Sequence, residues 1–144
     1  MSRLLGVDHG SRRIGLAVGD LETRIAFARP ALRPRKGGGE ATEVARMARV
    51  EGASRVVLGL PRNMDGSEGA QAAAARHFGD ALAAAGLEVV YVDERLSTWQ
   101  ARSDLESAGR ATTRRSGEVD SAAAAVILQD YLDSLPQPPA QEAE

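Results

Sequence analysis

The chain opens on a short apolar run, "RLLGV" from Arg3 to Val7, nearly continuous in the way of a buried central strand. Two more apolar runs, Ile14 to Val18 and Ile25 to Ala28, follow after tight polar connections, and three strands joined by hairpins account for that spacing. "RPALRPRKGGGE" then breaks the pattern with Pro30, Pro34 and a glycine run, so it reads as a mobile basic loop. Helical spacing resumes near Ala41, where Val44, Ala45, Ala48 and Val50 outline a first helix. "RVVLGLP", Arg55 to Pro61, reads as a buried strand stopped by its proline. The loop "RNMDGSEG" leads into a second helix, marked by Ala70, Ala74, Phe78, Ala81, Leu82 and Ala85 and closed by Gly86. "LEVVYVDER" supplies the fifth strand, and two further helical patterns cover Ser97 to Ala108 and Val119 to Leu135.

The order is β-β-β-α-β-α-β-α-α. Hairpins first and alternating strands and helices afterwards predict an α/β fold, a mixed sheet flanked by helices. Right-handed crossovers place the later strands parallel to one another beside the first. Residues 1–135 are expected to form a single domain, and "PQPPAQEAE", residues 136–144, a disordered tail.

This topology locates the carboxylates. Asp8 ends the first strand, Asp93 and Glu94 end the last, and Asp120 opens the final helix on the stripe that holds Ala123, Ala124, Ile127 and Tyr131. Ligands of open α/β sheets gather at the carboxyl ends of parallel strands, where both strand-end acids belong. If Asp8, Glu94 and Asp120 converge, each pair about 4 Å apart repels by roughly 4 kcal/mol at a typical effective dielectric. Against a total stability of about 5 to 15 kcal/mol, such repulsion demands protons or divalent cations between the acids. An all-oxygen cage suits Mg²⁺ or Mn²⁺ rather than Zn²⁺. Two such ions would activate a water and stabilise the leaving oxygen of a phosphodiester. Gly10 fits a turn that passes close to a ligand. Each acid also has a plainer role open to it: Asp8 with Gly10 as turn chemistry, Asp120 as a helix cap, Glu94 in a surface ion pair.

Composition narrows the choice. With 144 residues, 43% hydrophobic and 26% charged, the chain has the balance of one globular domain. No stretch nears the roughly 18 apolar residues of a membrane span, and no signal peptide is recognised, so no membrane association and a cytoplasmic location are expected. The absence of cysteine removes thiolate nucleophiles and zinc-thiolate sites, and His9 and His77 are too few for an imidazole-rich metal centre. A net charge of −2 gives no global basic footprint, although arginines cluster locally.

Four segments, "VDHGSRRIGLAVGD", "VVLGLPRNMDGSEG", "VDERLST" and "VDSAAAAVILQDYL", resemble the four motif blocks of the YqgF family, also called RuvX, within the RNase H-like (RuvC-like) superfamily. The match runs from about Leu4 to Leu132. It implies an RNase H-like fold, a five-stranded mixed sheet with its first three strands antiparallel. It implies also that Asp8, Glu94 and Asp120 are the catalytic, metal-binding acids. Family members are linked to nuclease processing of pre-16S ribosomal RNA at its 5′ end and to Holliday junction cleavage, so the expected partner is RNA or branched DNA. With 3% aromatic residues, backbone contact rather than base stacking must dominate. Arg12, Arg13, Arg62, Arg95, Thr98, Arg114 and Arg115 are the expected nucleic-acid contacts, with Arg95 belonging to the family's D-E-R block. His9, as the neighbour of Asp8, is expected on the opposite face in a structural role.

Two rival classes share some of these features. Actin-like and sugar-kinase ATPases also open on a D-x-G turn, but they need a second domain, and Lys36 has no P-loop context, so no nucleotide cofactor is expected. A catalytically silent RNA- or ribosome-binding module has no reason to gather repelling acids near a polyanion. A homodimer is required if a junction is cut symmetrically and not if an RNA end is trimmed.

Overall fold

A computed structural model describes residues 3–10, 12–34, 37–94 and 121–136. A five-stranded sheet runs in the order β3-β2-β1-β4-β5, built from β1 (Arg3–His9), β2 (Ile14–Asp20), β3 (Ala26–Leu32), β4 (Ala53–Leu60) and β5 (Glu88–Asp93). β1 pairs antiparallel with β2, and β2 with β3, while β1, β4 and β5 are mutually parallel. The predicted mixed sheet is therefore the observed one. Helix α1 (Glu40–Glu51) follows β3, α2 (Ala70–Ala84) follows β4, and α3 (Ala122–Ser134) closes the described chain. The pattern predicted over Ser97 to Ala108 lies outside the described residues.

The two faces of the sheet are covered differently. On one, Leu5, Val7, Leu16, Val56 and Leu58 meet Val44 and Ala48 of α1 and Phe78 and Leu82 of α2. On the other, Leu4, Ala17 and Val57 meet Ala124, Ile127, Leu128 and Leu132 of α3. The alternation of β-strand side chains sorts each residue to its face, which is why a continuous apolar run was needed at the centre of the sheet. Close approach on the α3 face depends on glycine. A Cβ on Gly6 would sit 2.8 Å from Leu128 Cβ and 3.0 Å from the Ala124 carbonyl, and one on Gly19 would sit 2.9 Å from Leu128 Cδ2. Ser121, fully buried just before α3, accepts a 3.0 Å hydrogen bond from the Leu16 amide and so ties the helix entrance to β2.

Three details depart from the sequence reading. β3 runs through Pro30 to Leu32, where a loop was expected. As an edge strand it tolerates a proline, and the extra residue is absorbed between the pairs Ile14↔Leu32 and Leu16↔Arg29, where two residues of β3 face one of β2. Val50, expected on the apolar stripe of α1, is 73% exposed, because at about 100° per residue it lies about 200° around the helix from Ala48 and faces away from the sheet. On α2 the buried stripe is Ala72, Ala75, Phe78, Gly79 and Leu82, which leaves Ala70 and Ala74 exposed above the carboxyl ends of the strands. Among the described residues no helix is long and apolar enough to cross a membrane.

Candidate functional site

Asp8 lies within the ladder, directly opposite Gly15 of β2, and not in the turn that follows. That placement weakens its reading as turn chemistry. Leu5 and Val7 face α1 and α2, so Leu4, Gly6 and Asp8 face α3. On β5 the same alternation puts Val89 and Tyr91 on the α2 side and Val92 on the α3 side, and Glu94 continues the latter. Both acids are half-buried and line one cleft of about 280 Å³, together with His9, Gly10, Pro61, Ala70, Gln71 and Ala74.

β4 lies between the strands that carry these acids. The last pair of the β1/β4 ladder is Val7↔Leu58, so Asp8 and Gly59 stand side by side one residue further on, while Gly59 pairs with Val92 across the β4/β5 ladder. Asp8 thus has a glycine beside it on each neighbouring strand. The Glu94 carboxylate occupies the place where a side chain on Gly59 would begin. In the strand "RVVLGLP" this lone glycine is the one signal in the sequence for such an approach, since glycine inside a strand pattern marks a place where another group comes close.

His9 points away from Asp8's face, as expected, and stacks on Phe78 with ring centroids 4.6 Å apart. Burial lowers its pKa, outweighing the nearby negative charges of Asp8 and Glu40, so the ring is held toward its neutral form. Gly10 serves the turn itself: its amide donates to the Arg13 carbonyl at 3.0 Å, and a Cβ there would stand 2.8 Å from that oxygen. Gly10 also lines the cleft.

The arginines divide. Arg12 is exposed and Arg13 half-buried in the turn after Asp8, beside the cleft. Arg62 is drawn instead into an ionic cluster on the α2 side, 3.5 Å from Glu68 and 3.5 Å from Asp93. Its Nε is buried with no hydrogen-bond partner among the described residues. Glu68 also takes two 2.8 Å hydrogen bonds from Arg76, which lies 5.0 Å over the Tyr91 ring. The Arg76 hydrogen bonds are the main cause of a lowered Glu68 pKa. Arg95, Thr98, Arg114, Arg115 and Asp120 lie outside the described residues. Among the described residues no group of three or more His, Cys, Asp or Glu could hold a metal ion. Asp8 and Glu94 nevertheless fit one as oxygen donors: two half-buried carboxylates open to one cleft, with no side chain on Gly59 between them.

Comparison with known proteins agrees with this architecture. The family profile described as RuvX, Holliday junction resolvase, matches residues 2–134. A protein of Anaeromyxobacter sp. (strain K), named as a candidate pre-16S rRNA nuclease, is 46% identical over 132 residues, covering 91% of this chain and 96% of that protein. One of Acidiphilium cryptum (strain JF-5), under the same name, is 41% identical over 142 residues, covering 98% and 90%. Among solved structures, T. thermophilus RuvC in complex with a Holliday junction substrate superposes with a TM-score of 0.57 at 14% identity, covering 92% of this chain and 95% of that one. The fowlpox virus Holliday junction resolvase gives 0.58 at 12% identity, covering 92% and 99%. At such identities these two likenesses concern the fold.

Proposed function

From the premise that the chain belongs to the RuvX family, we propose that it is a divalent-metal-dependent nuclease acting on RNA, in the 5′-end processing of pre-16S ribosomal RNA. The observation that carries this reading is the meeting of Asp8 and Glu94, from the ends of two parallel strands, in one cleft at the carboxyl edge of the sheet. The choice of RNA rests on the names of the relatives with 46% and 41% identity.

Asp8 and Glu94, with Asp120, are the residues that would hold Mg²⁺ or Mn²⁺. When bound, a pair of these ions supplies Lewis acidity and neutralises charge at the phosphodiester. Asp8 is held at its place by the β1/β2 ladder, and Glu94 follows directly on the last paired residue of β5. Arg12 and Arg13 in the adjoining turn, together with Arg95, Thr98, Arg114 and Arg115, contact the substrate's phosphates and hold its backbone across the cleft. Arg62 joins them where the backbone passes the start of α2, exchanging part of its pairing with Glu68 and Asp93. His9, stacked and neutral, is not required as a proton carrier.

A second reading, cleavage of branched DNA by a dimer, is favoured by the junction-resolvase description of the family. Cleavage of an end-labelled precursor ribosomal leader beside a four-way DNA junction decides between them, with Mn²⁺, Mg²⁺ or chelator. Metal-dependent cutting of the leader, lost in Asp8→Asn, is the expected result. Paired nicks in the junction with the RNA untouched would move the protein to the second reading. An Asp8→Asn protein that cuts like the parent would overturn the assignment of the acids.

A further inference from the structure

Resting on the nuclease reading, we infer that Gly59 is a positioning residue: its missing side chain is the seat on which the Glu94 carboxylate lies, and this sets Glu94 beside Asp8.

Adjacent strands are about 4.8 Å apart, so two acids on β1 and β5, with β4 between them, start from backbones roughly twice that distance apart. To share a ligand, one of them must lean over the middle strand. A Cβ built on Gly59 would fall on Glu94 Oε2 and stand 3.2 Å from its Cδ, so the carboxylate already fills the volume above β4. The same Cβ would stand 2.6 Å from Ile127 Cδ1 of α3. Alanine at this position therefore has two separable consequences. Toward Ile127 it overpacks a side chain that is 1% exposed, which costs stability. Toward Glu94 it meets the far end of a long side chain, and the carboxylate must shift from its seat in the cleft to make room. A purely structural glycine would show the first effect alone. Gly6 and Gly19 are of that kind, their nearest neighbours being Leu128, the Ala124 carbonyl, Leu132 and the Ile25 carbonyl.

Ile127→Val deletes the Cδ1 atom and allows the two consequences to be measured apart. Mn²⁺ binding by titration calorimetry and the melting temperature in chelator are compared for the parent, Gly59→Ala, Ile127→Val and Gly59→Ala/Ile127→Val. The double variant should lie closer in melting temperature to Ile127→Val than Gly59→Ala lies to the parent, because the clash with Cδ1 is gone, while its Mn²⁺ affinity stays about ten- to a hundredfold below the parent's. Ile127→Val alone should bind like the parent. Parental affinity in the double variant, with the parent binding normally, would overturn the role of Gly59 and leave the nuclease reading standing. A parent that binds no Mn²⁺ at all would overturn that reading, and this inference with it. Should Gly59→Ala alone fail to fold, the comparison of the double variant with Ile127→Val carries the test.

Discussion

The two faces of the sheet solve different problems. Under α1 and α2 the strands present Leu5, Val7, Leu16, Val56 and Leu58, bulky side chains that fill space and hold the helices at a distance. Under α3, past Leu4 at the start of β1, they present Gly6, Ala17, Gly19, Val57 and Gly59, and the helix descends until its own Ala124, Ile127 and Leu128 take up the room. The first arrangement buries more side chain per position and so contributes more to stability. The second brings a helix close to the sheet on the face where Asp8 and Glu94 emerge. Bulk is concentrated where nothing else is required, and its absence where a charged group must fit.

The comparison can be broken most sharply by Asp8→Asn. Cleavage should fall by about a hundredfold or more, the scale for deleting a preorganised charged group from an active site. The melting temperature in chelator should change little beside that loss. Leu58→Ala, on the other face, should do the reverse. Deleting a fully buried leucine costs about 2 to 5 kcal/mol. At about 2 to 4 °C per kcal/mol for a chain of this size, the loss is easily read by calorimetry, with the turnover of the folded fraction unchanged. Gly6→Ala tests the α3 face without touching either carboxylate: overpacking against Leu128 and the Ala124 carbonyl should cost about 1 to 3 kcal/mol and leave metal affinity unchanged. The smallest effect belongs to Glu68→Gln. Because Arg76 lowers the Glu68 pKa, the carboxylate contributes stability above its ordinary value of 4.5 and loses it as pH falls through the lowered one. The difference in melting temperature between parent and variant should therefore be small at neutral pH and vanish in acid.

Much of this was legible because strand alternation is a strong constraint. Five strands and the helices α1, α2 and α3 follow from the spacing of apolar residues, and the parallel half of the sheet follows from the helical crossovers. Asp8 and Glu94 could be assigned to one edge of the sheet for the same reason. What sequence spacing did not supply was the consequence of packing between strands distant in the chain. Gly59 acquires a role only when Glu94, on another strand, is laid across it. Arg62 resembled the other site arginines until the fold set Glu68 and Asp93 on either side. β3 was cut short because Pro30 ends most strands, and it continues only because its outer edge needs no partner.

That proline has a consequence for how the protein behaves in a crowded solution. The outer rim of β3 carries Phe27, 58% exposed, with Ile25, 49% exposed, just before the strand, the combination that invites an unrelated strand to add itself and aggregation to begin. Pro30 offers no amide hydrogen to such a visitor, and the bulge beside it puts the following residues out of step. A foreign strand could engage the start of β3 but could not zip along its full length, and the sheet ends at five strands.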